Sequence, residues 1–162
     1  MSNLVKNIVR FIFFILVQVF ILNKIPPLHH LANPYLYFLF ILWLPFQMGR
    51  RSVMLLAFLP GITLDYFMNT PGLHAAPCVL IAYMRPFLVN LLIPQEGADT
   101  NYQEPSIKSM GFAPYFTYVG FLTLMHHAFL FLLEALQFGG FWYFFIKTII
   151  GLAISLLLIL IV

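Results

Sequence analysis

Residues 112–162 read FAPYFTYVGFLTLMHHAFLFLLEALQFGGFWYFFIKTIIGLAISLLLILIV. Two apolar runs, Phe112 to Phe138 and Phe141 to Val162, are parted only by Gly139 and Gly140. Each is long enough for an α-helix to cross the hydrocarbon core of a bilayer, which takes about 20 residues. A two-glycine link leaves no room for anything but a tight return, so the pattern predicts two antiparallel transmembrane helices. The rest of the chain has the same character. Of its 162 residues 62% are hydrophobic and 8% charged, whereas soluble domains carry roughly a quarter charged residues. No soluble fold of this size could hide so much apolar surface.

Working back from that hairpin, four more segments fit a spanning helix: Leu4 to Leu22, Pro34 to Met48, Ser52 to Met68 and Leu73 to Ile93. The Pro34 segment is the weakest, being short and carrying Pro45 near its far end, where proline kinks a helix. The joints are Lys24 to Asn33, Gly49 with Arg50 and Arg51, the turn Asn69-Thr70-Pro71-Gly72, and the polar stretch Pro94 to Gly111 with Glu96, Asp99, Glu104 and Lys108. The expectation is an all-α membrane protein. It forms one domain over residues 1–162, a compact bundle of six transmembrane helices whose sequential members are antiparallel neighbours. Lys6 and Arg10 ahead of the apolar run Phe11 to Leu22 resemble a signal peptide. No small-residue cleavage site follows, so a retained first helix is expected.

Orientation follows from Lys and Arg in the short loops. With the N-terminus inside, Lys6, Arg10, Arg50, Arg51 and Lys108 lie on the cytoplasmic side and only Lys24 outside. Both termini are then cytoplasmic, in a plasma membrane. The net charge of +3 is spread over the whole chain, with no basic block to neutralise a run of phosphates, which argues against a nucleic-acid partner. The single cysteine, Cys78, excludes an internal disulfide and reads as a small apolar residue.

Ionisable residues within the spans need a partner, a wet cavity or a route to the interface, since a charge at the bilayer centre costs at least about 2.5 kcal/mol. In the fifth span Gly120, Thr123, His127 and Glu134 share a face, and the sixth answers with Tyr143, Lys147, Gly151 and Ser155. Folding about Gly139 and Gly140 brings Glu134 and Lys147 to similar depth, so an ion pair is expected there. Asp65, four residues after Gly61, and His74, just past the turn, lie in the same outer half. Asp65, His74, His127, Glu134 and Lys147 then form either an outward-facing polar pocket or docking groove, or interhelical glue. Arg85, immediately before Pro86, either snorkels to the inner headgroups or is paired inside. Gly72 is read as a turn glycine, and Gly61, Gly120 and Gly151 as packing glycines.

The histidines fall mainly in adjacent pairs: His126 and His127 point about 100° apart on a helix and cannot chelate one ion together without help from another helix, and His29-His30, in a proline-rich outer loop, has no nearby carboxylate in the sequence. No phosphate loop or nucleophile elbow is present. A non-catalytic protein without metal or cofactor is expected.

The stretch Leu59 to Leu88, LPGITLDYFMNTPGLHAAPCVLIAYMRPFL, resembles the rod shape-determining protein MreD family. The matching elements are Gly61 with Asp65, the turn ending in Gly72-Leu73-His74-Ala75, and the pair Ala82-Tyr83. Gln18 and the sequence Asn33-Pro34-Tyr35 match as well. The paired histidines and Glu134 of the fifth span, with the Asn-Thr-Pro-Gly turn, resemble its Bacteroidetes branch. The resemblance implies a non-catalytic subunit of the bacterial elongation machinery, bound to MreC and through it to MreB, RodA and a class B penicillin-binding transpeptidase. It further implies a fold similar to the S components of energy-coupling factor transporters. A vitamin- or small-molecule-binding transporter subunit is therefore the alternative, although the bulky first span, Phe11 to Leu16, lacks the small-residue contacts of that class and a small-molecule ligand is not expected. A third reading, an intramembrane enzyme, requires His127 and Asp65 within hydrogen-bond reach. The aromatic second span, with Tyr35, Tyr37, Phe38, Phe40 and Trp43, suits membrane lipid or a docked partner.

Overall fold

A computed structural model describes residues 3–24, 34–93, 104–138 and 140–161. Among them every regular element is helical. α1 (Asn3–Leu16) opens into a wide π turn at Val17–Ile21 and a last tight turn at Leu22–Lys24; α2 is only Leu39–Leu42. α3 (Arg50–Met68) and α4 (Ala75–Leu92) form a hairpin, α5 (Ile107–Met110) is a short turn of helix, and α6 (Phe112–Phe138) and α7 (Phe141–Ile161) form a second hairpin. Five stretches, Val5–Lys24, Arg50–Met68, Ala75–Leu92, Phe112–Leu136 and Phe141–Ile161, are long and apolar enough to cross a membrane. Their outward faces are apolar, as at Leu55, Tyr66, Leu136, Trp142 and Ile161, all exposed. Such a surface belongs in lipid, and the chain is a multi-pass helical membrane protein.

The stretch 34–48 departs from the expected helix. Only Leu39–Leu42 is α-helical, with turns on either side. It is nonetheless the longest run of buried residues among those described: Tyr35 through Leu42 are all buried, and so is Leu44. The stretch reads as apolar because protein surrounds it. Irregular backbone survives at membrane depth only where other protein groups satisfy its N–H and C=O groups, and here they do. Gln18, fully buried on the π turn, accepts the N–H of Leu36 (2.8 Å) and of Tyr37 (3.4 Å) with Oε1, and donates from Nε2 to the Pro34 carbonyl (3.0 Å) and to Asn23 Oδ1 (2.9 Å). Ser155 Oγ of α7 accepts the Tyr35 N–H at 3.3 Å.

The far end of the same stretch is held from α4 and α6. A helix leaves its last carbonyls without partners. The Leu42 carbonyl takes the Tyr118 hydroxyl at 2.9 Å, and the Leu44 carbonyl takes Arg85 Nη2. Beginning beside Gln18 and ending with Trp43 against Arg10 (5.3 Å to the ring) and Tyr115 (3.3 Å), it runs back alongside α1 in the opposite direction.

At that same end Lys6 and Arg10 of α1 both reach Glu104 Oε2, each at 2.9 Å. Partial burial opposes ionisation of Glu104, but the hydrogen bonds from Lys6 and Arg10 outweigh it and hold the carboxyl below the usual glutamate range. Ser106 caps α5 through reciprocal bonds with Ser109. Of the polar stretch 94–111, residues 94–103 lie outside the described residues, as do His29, His30 and Gly139.

Candidate functional site

The α3–α4 hairpin carries the densest polar construction. Asp65 is buried and accepts five hydrogen bonds: on Oδ1 from the His74 N–H (2.8 Å), His74 Nδ1 (2.9 Å) and the Thr70 hydroxyl (3.1 Å), and on Oδ2 from the N–H groups of Ala75 (3.0 Å) and Gly72 (3.1 Å). One carboxylate therefore satisfies N–H groups that the start of α4 leaves without helical partners, from across the turn, where its charge also favours the positive helix end. Asn69 (φ 55°) and Gly72 (φ +83°) reverse the chain in left-handed conformations. Gly61 allows the closure: a Cβ there would lie 2.4 Å from Cα of Ala75. Gly61, Asp65, Gly72 and His74 are thus parts of one clamp.

The α6–α7 hairpin holds the second group. The ion pair expected between Glu134 and Lys147 forms, with Nζ 2.5 Å from Oε1, and Lys147 also reaches the Tyr143 hydroxyl at 3.3 Å. Lys147 is buried and sits 5.1 Å from the Phe131 ring centroid. Gly151 is the close-packing point of this hairpin, since a Cβ there would meet Phe131 at 2.9 Å and His127 at 3.1 Å. Gly120 is not one: a Cβ at that position meets nothing within 4 Å, because its side of α6 is open there.

His127 joins the hairpin to the threaded stretch. Its Nδ1 faces the Thr123 carbonyl at 2.9 Å, and a carbonyl can only accept, so Nδ1 carries the proton. Nε2, 2.9 Å from Ser155 Oγ, is then the acceptor. A directed chain results, from the Tyr35 N–H to Ser155 and from Ser155 to His127. His126, one residue earlier, points elsewhere, stacking on Phe38 at 4.4 Å with Nε2 2.9 Å from the Tyr37 hydroxyl.

The five polar residues expected to share one outer cluster therefore divide into three groups. Asp65 pairs with His74, His127 with Ser155, and Glu134 with Lys147. Aromatic rings join them: Tyr35 lies 5.6 Å from the His74 ring, 6.0 Å from His127 and 6.2 Å from Phe131. No hydrogen bond links His127 to Asp65 among the described residues, so the geometry required for an acid–base pair of these two is not met. Arg85 is paired inside and does not snorkel: it is buried, donating from Nε to Tyr118 (2.9 Å) and from Nη2 to the Leu44 carbonyl. Tyr118 is a polar neighbour that sequence reasoning did not single out, since an aromatic hydroxyl in an apolar span gives no periodic signal; Tyr37, read there as a ring for lipid or a docked partner, and His126, read as half of a non-chelating pair, are bonded to each other. Among the described residues, three buried side-chain atoms, His74 Nε2, Thr123 Oγ1 and His126 Nδ1, have no hydrogen-bond partner. Among the described residues no group of three His, Cys, Asp or Glu side chains is placed to hold a metal.

Comparison with known proteins finds no matching family model, no matching curated protein and no matching solved structure.

Proposed function

We propose that this chain is a non-catalytic scaffold subunit of the bacterial elongation machinery, similar to the MreD family, that binds MreC in the cytoplasmic membrane. The observation that carries the reading is the clamp. Of the residues on which the resemblance rests, Asp65, Gly72, His74 and Ala75 form a single hydrogen-bonded unit, closed by the contact of Gly61 with Ala75, that fixes the α3–α4 hairpin. A motif with one structural purpose is a better mark of kinship than scattered matches.

The polar groups inside the bundle are engaged mainly with one another, as a scaffold's would be, while the outward faces are apolar and suited to lipid or another membrane helix. Counting the threaded stretch 34–48 as a pass beside the five long helices gives six, which would return the C-terminus to the side of the N-terminus. The positive residues on that side support a cytoplasmic location for it, and six passes around a filled centre fit an S-component-like arrangement. MreB, RodA and a class B penicillin-binding transpeptidase would be reached through MreC.

The test is co-purification with MreC from the native membrane, together with depletion. Retention of MreC and loss of rod shape support the scaffold; failure of both removes it. A substrate-binding transporter subunit is the second reading, favoured by the unpartnered buried atoms His74 Nε2 and His126 Nδ1, on rings that pack against Tyr37. It predicts saturable stabilisation of the purified chain by a small polar metabolite, and a flat thermal-shift screen ends it.

A further inference from the structure

Outside the bundle core, the α3–α4 face carries a groove that begins at Gly72 and Ala75 of the clamp. It has a volume of about 570 Å³ and is also lined by Met54 and Phe58 of α3, Ala76, Val79 and Tyr83 of α4, and Phe129 of α6. A second hollow of about 430 Å³ continues it toward the start of α3, sharing Met54, Phe58 and Val79 and adding Arg51. The walls are apolar, but the end is not. Arg51 lines the groove itself, and the Arg50 guanidinium lies 4.9 Å from the ring centroid of Tyr83, another wall residue.

No described carboxylate balances these two arginines. The described carboxylates are all committed elsewhere: Asp65 to His74, Glu104 to Lys6 and Arg10, Glu134 to Lys147. Among the described residues no acidic group lies within ion-pair distance of Arg50 or Arg51. The first turn of α3 contains no acidic residue either, so two positive charges adjoin the positive end of a helix dipole. An anion at this place relieves both repulsions.

Length separates the candidates for what fills the groove. From Arg51 to Phe58 along α3 is seven residues, about 10 Å of rise, and from Ala75 to Tyr83 along α4 is eight, about 12 Å. One leaflet of the hydrocarbon core is about 15 Å deep and the whole core about 30 Å. The hollow therefore matches acyl chains entering from one side, and is too short for a partner helix that must pack across both leaflets.

We infer that the groove between α3, α4 and Phe129 binds one anionic phospholipid of the leaflet adjoining Arg50 and Arg51. Its phosphate is held by the two guanidinium groups and its acyl chains lie on Met54, Phe58 and Val79. The site is independent of the scaffold reading.

The full chain, reconstituted in bilayer discs of phosphatidylglycerol and phosphatidylcholine with matched acyl chains, is released and weighed by native mass spectrometry. One phosphatidylglycerol is expected to be retained per chain, at least about tenfold in preference to phosphatidylcholine. In Arg50→Ala/Arg51→Ala that preference falls to near unity, while Val79→Trp, which fills the groove, removes retention of both lipids. Helix content by circular dichroism checks that each variant is folded, and Arg51→Lys, keeping the charge, retains most of the preference. Inorganic phosphate at millimolar concentration leaves the bound lipid in place, which separates a lipid site from a simple anion site. Equal retention of the two lipids by the parent chain, displacement by phosphate alone, or a second copy of the chain in place of lipid overturns the inference.

Discussion

Asp65 shows how much one side chain holds in this bundle. Its carboxylate takes three backbone N–H groups, a hydroxyl and an imidazole, so Asp65→Ala strands several buried donors at once. Leaving a single buried group unsatisfied costs about 1–3 kcal/mol, and the variant is expected to lose at least about 3 kcal/mol in a detergent unfolding titration. Thr70→Ala, which removes one of the five donors, loses about 1 kcal/mol. The glycines give a paired test. Gly61→Ala forces a methyl against the Ala75 backbone and is expected to destabilise by about 1–3 kcal/mol. Gly120→Ala meets open space and is expected to be neutral or to stabilise by up to about 1 kcal/mol through helix propensity. Equal effects at the two positions would contradict the packing described. Spacing alone could not separate these glycines, because a helical face contains both a contact point and the turn beside it.

At the level of elements, the long helices were readable from hydropathy and the threaded stretch was not. Pro34 and Pro45 already marked 34–48 as a poor helix. Hydropathy measures removal from water, and a segment enclosed by protein scores like one enclosed by lipid. The better signal lay in other elements: Gln18, Arg85 and Ser155, each polar and each within an apolar run, are what the stretch requires at its two ends. The Glu134–Lys147 pair was legible because a two-residue link fixes the register of both helices. The division of the outer polar residues into three groups was not, since it depends on the rings of Tyr35 and Phe131 between them. Gln18→Leu leaves the Leu36 and Tyr37 N–H groups and the Pro34 carbonyl without partners. Cys78, the single cysteine and fully buried, reports on the packing of this region. Maleimide labelling of Cys78 is expected to be negligible in the parent chain and at least about tenfold faster in Gln18→Leu; unchanged labelling would show that the stretch does not depend on Gln18.

For the molecule as a whole, the Glu104 strap ties the start of α1 to the chain leading into α5 and α6. Its carboxyl is held below the ordinary value of about 4.3 in the folded state. The sign follows from linkage: the stabilisation is complete above that ordinary value and disappears as pH falls through the lower folded one. Glu104→Gln is therefore expected to melt below the parent at pH 7, and the gap in Tm is expected to close as the pH drops toward 3. The effect is small, about 1 kcal/mol or less, because Lys6 is half exposed. A gap that widens on acidification would contradict this assignment. Reporter fusions check the topology: both ends of the chain are expected to report the cytoplasm.

The partner of the Tyr35 amide is Ser155, 120 residues further along the chain. At about 5–20 residues/s of synthesis, roughly 6–24 s pass on the ribosome before that hydroxyl exists. Throughout this interval a stretch that cannot rest in lipid as an open strand has no finished home. Nascent chains halted before α7 should remain beside the insertion machinery, and only the complete polypeptide should be released to the bilayer.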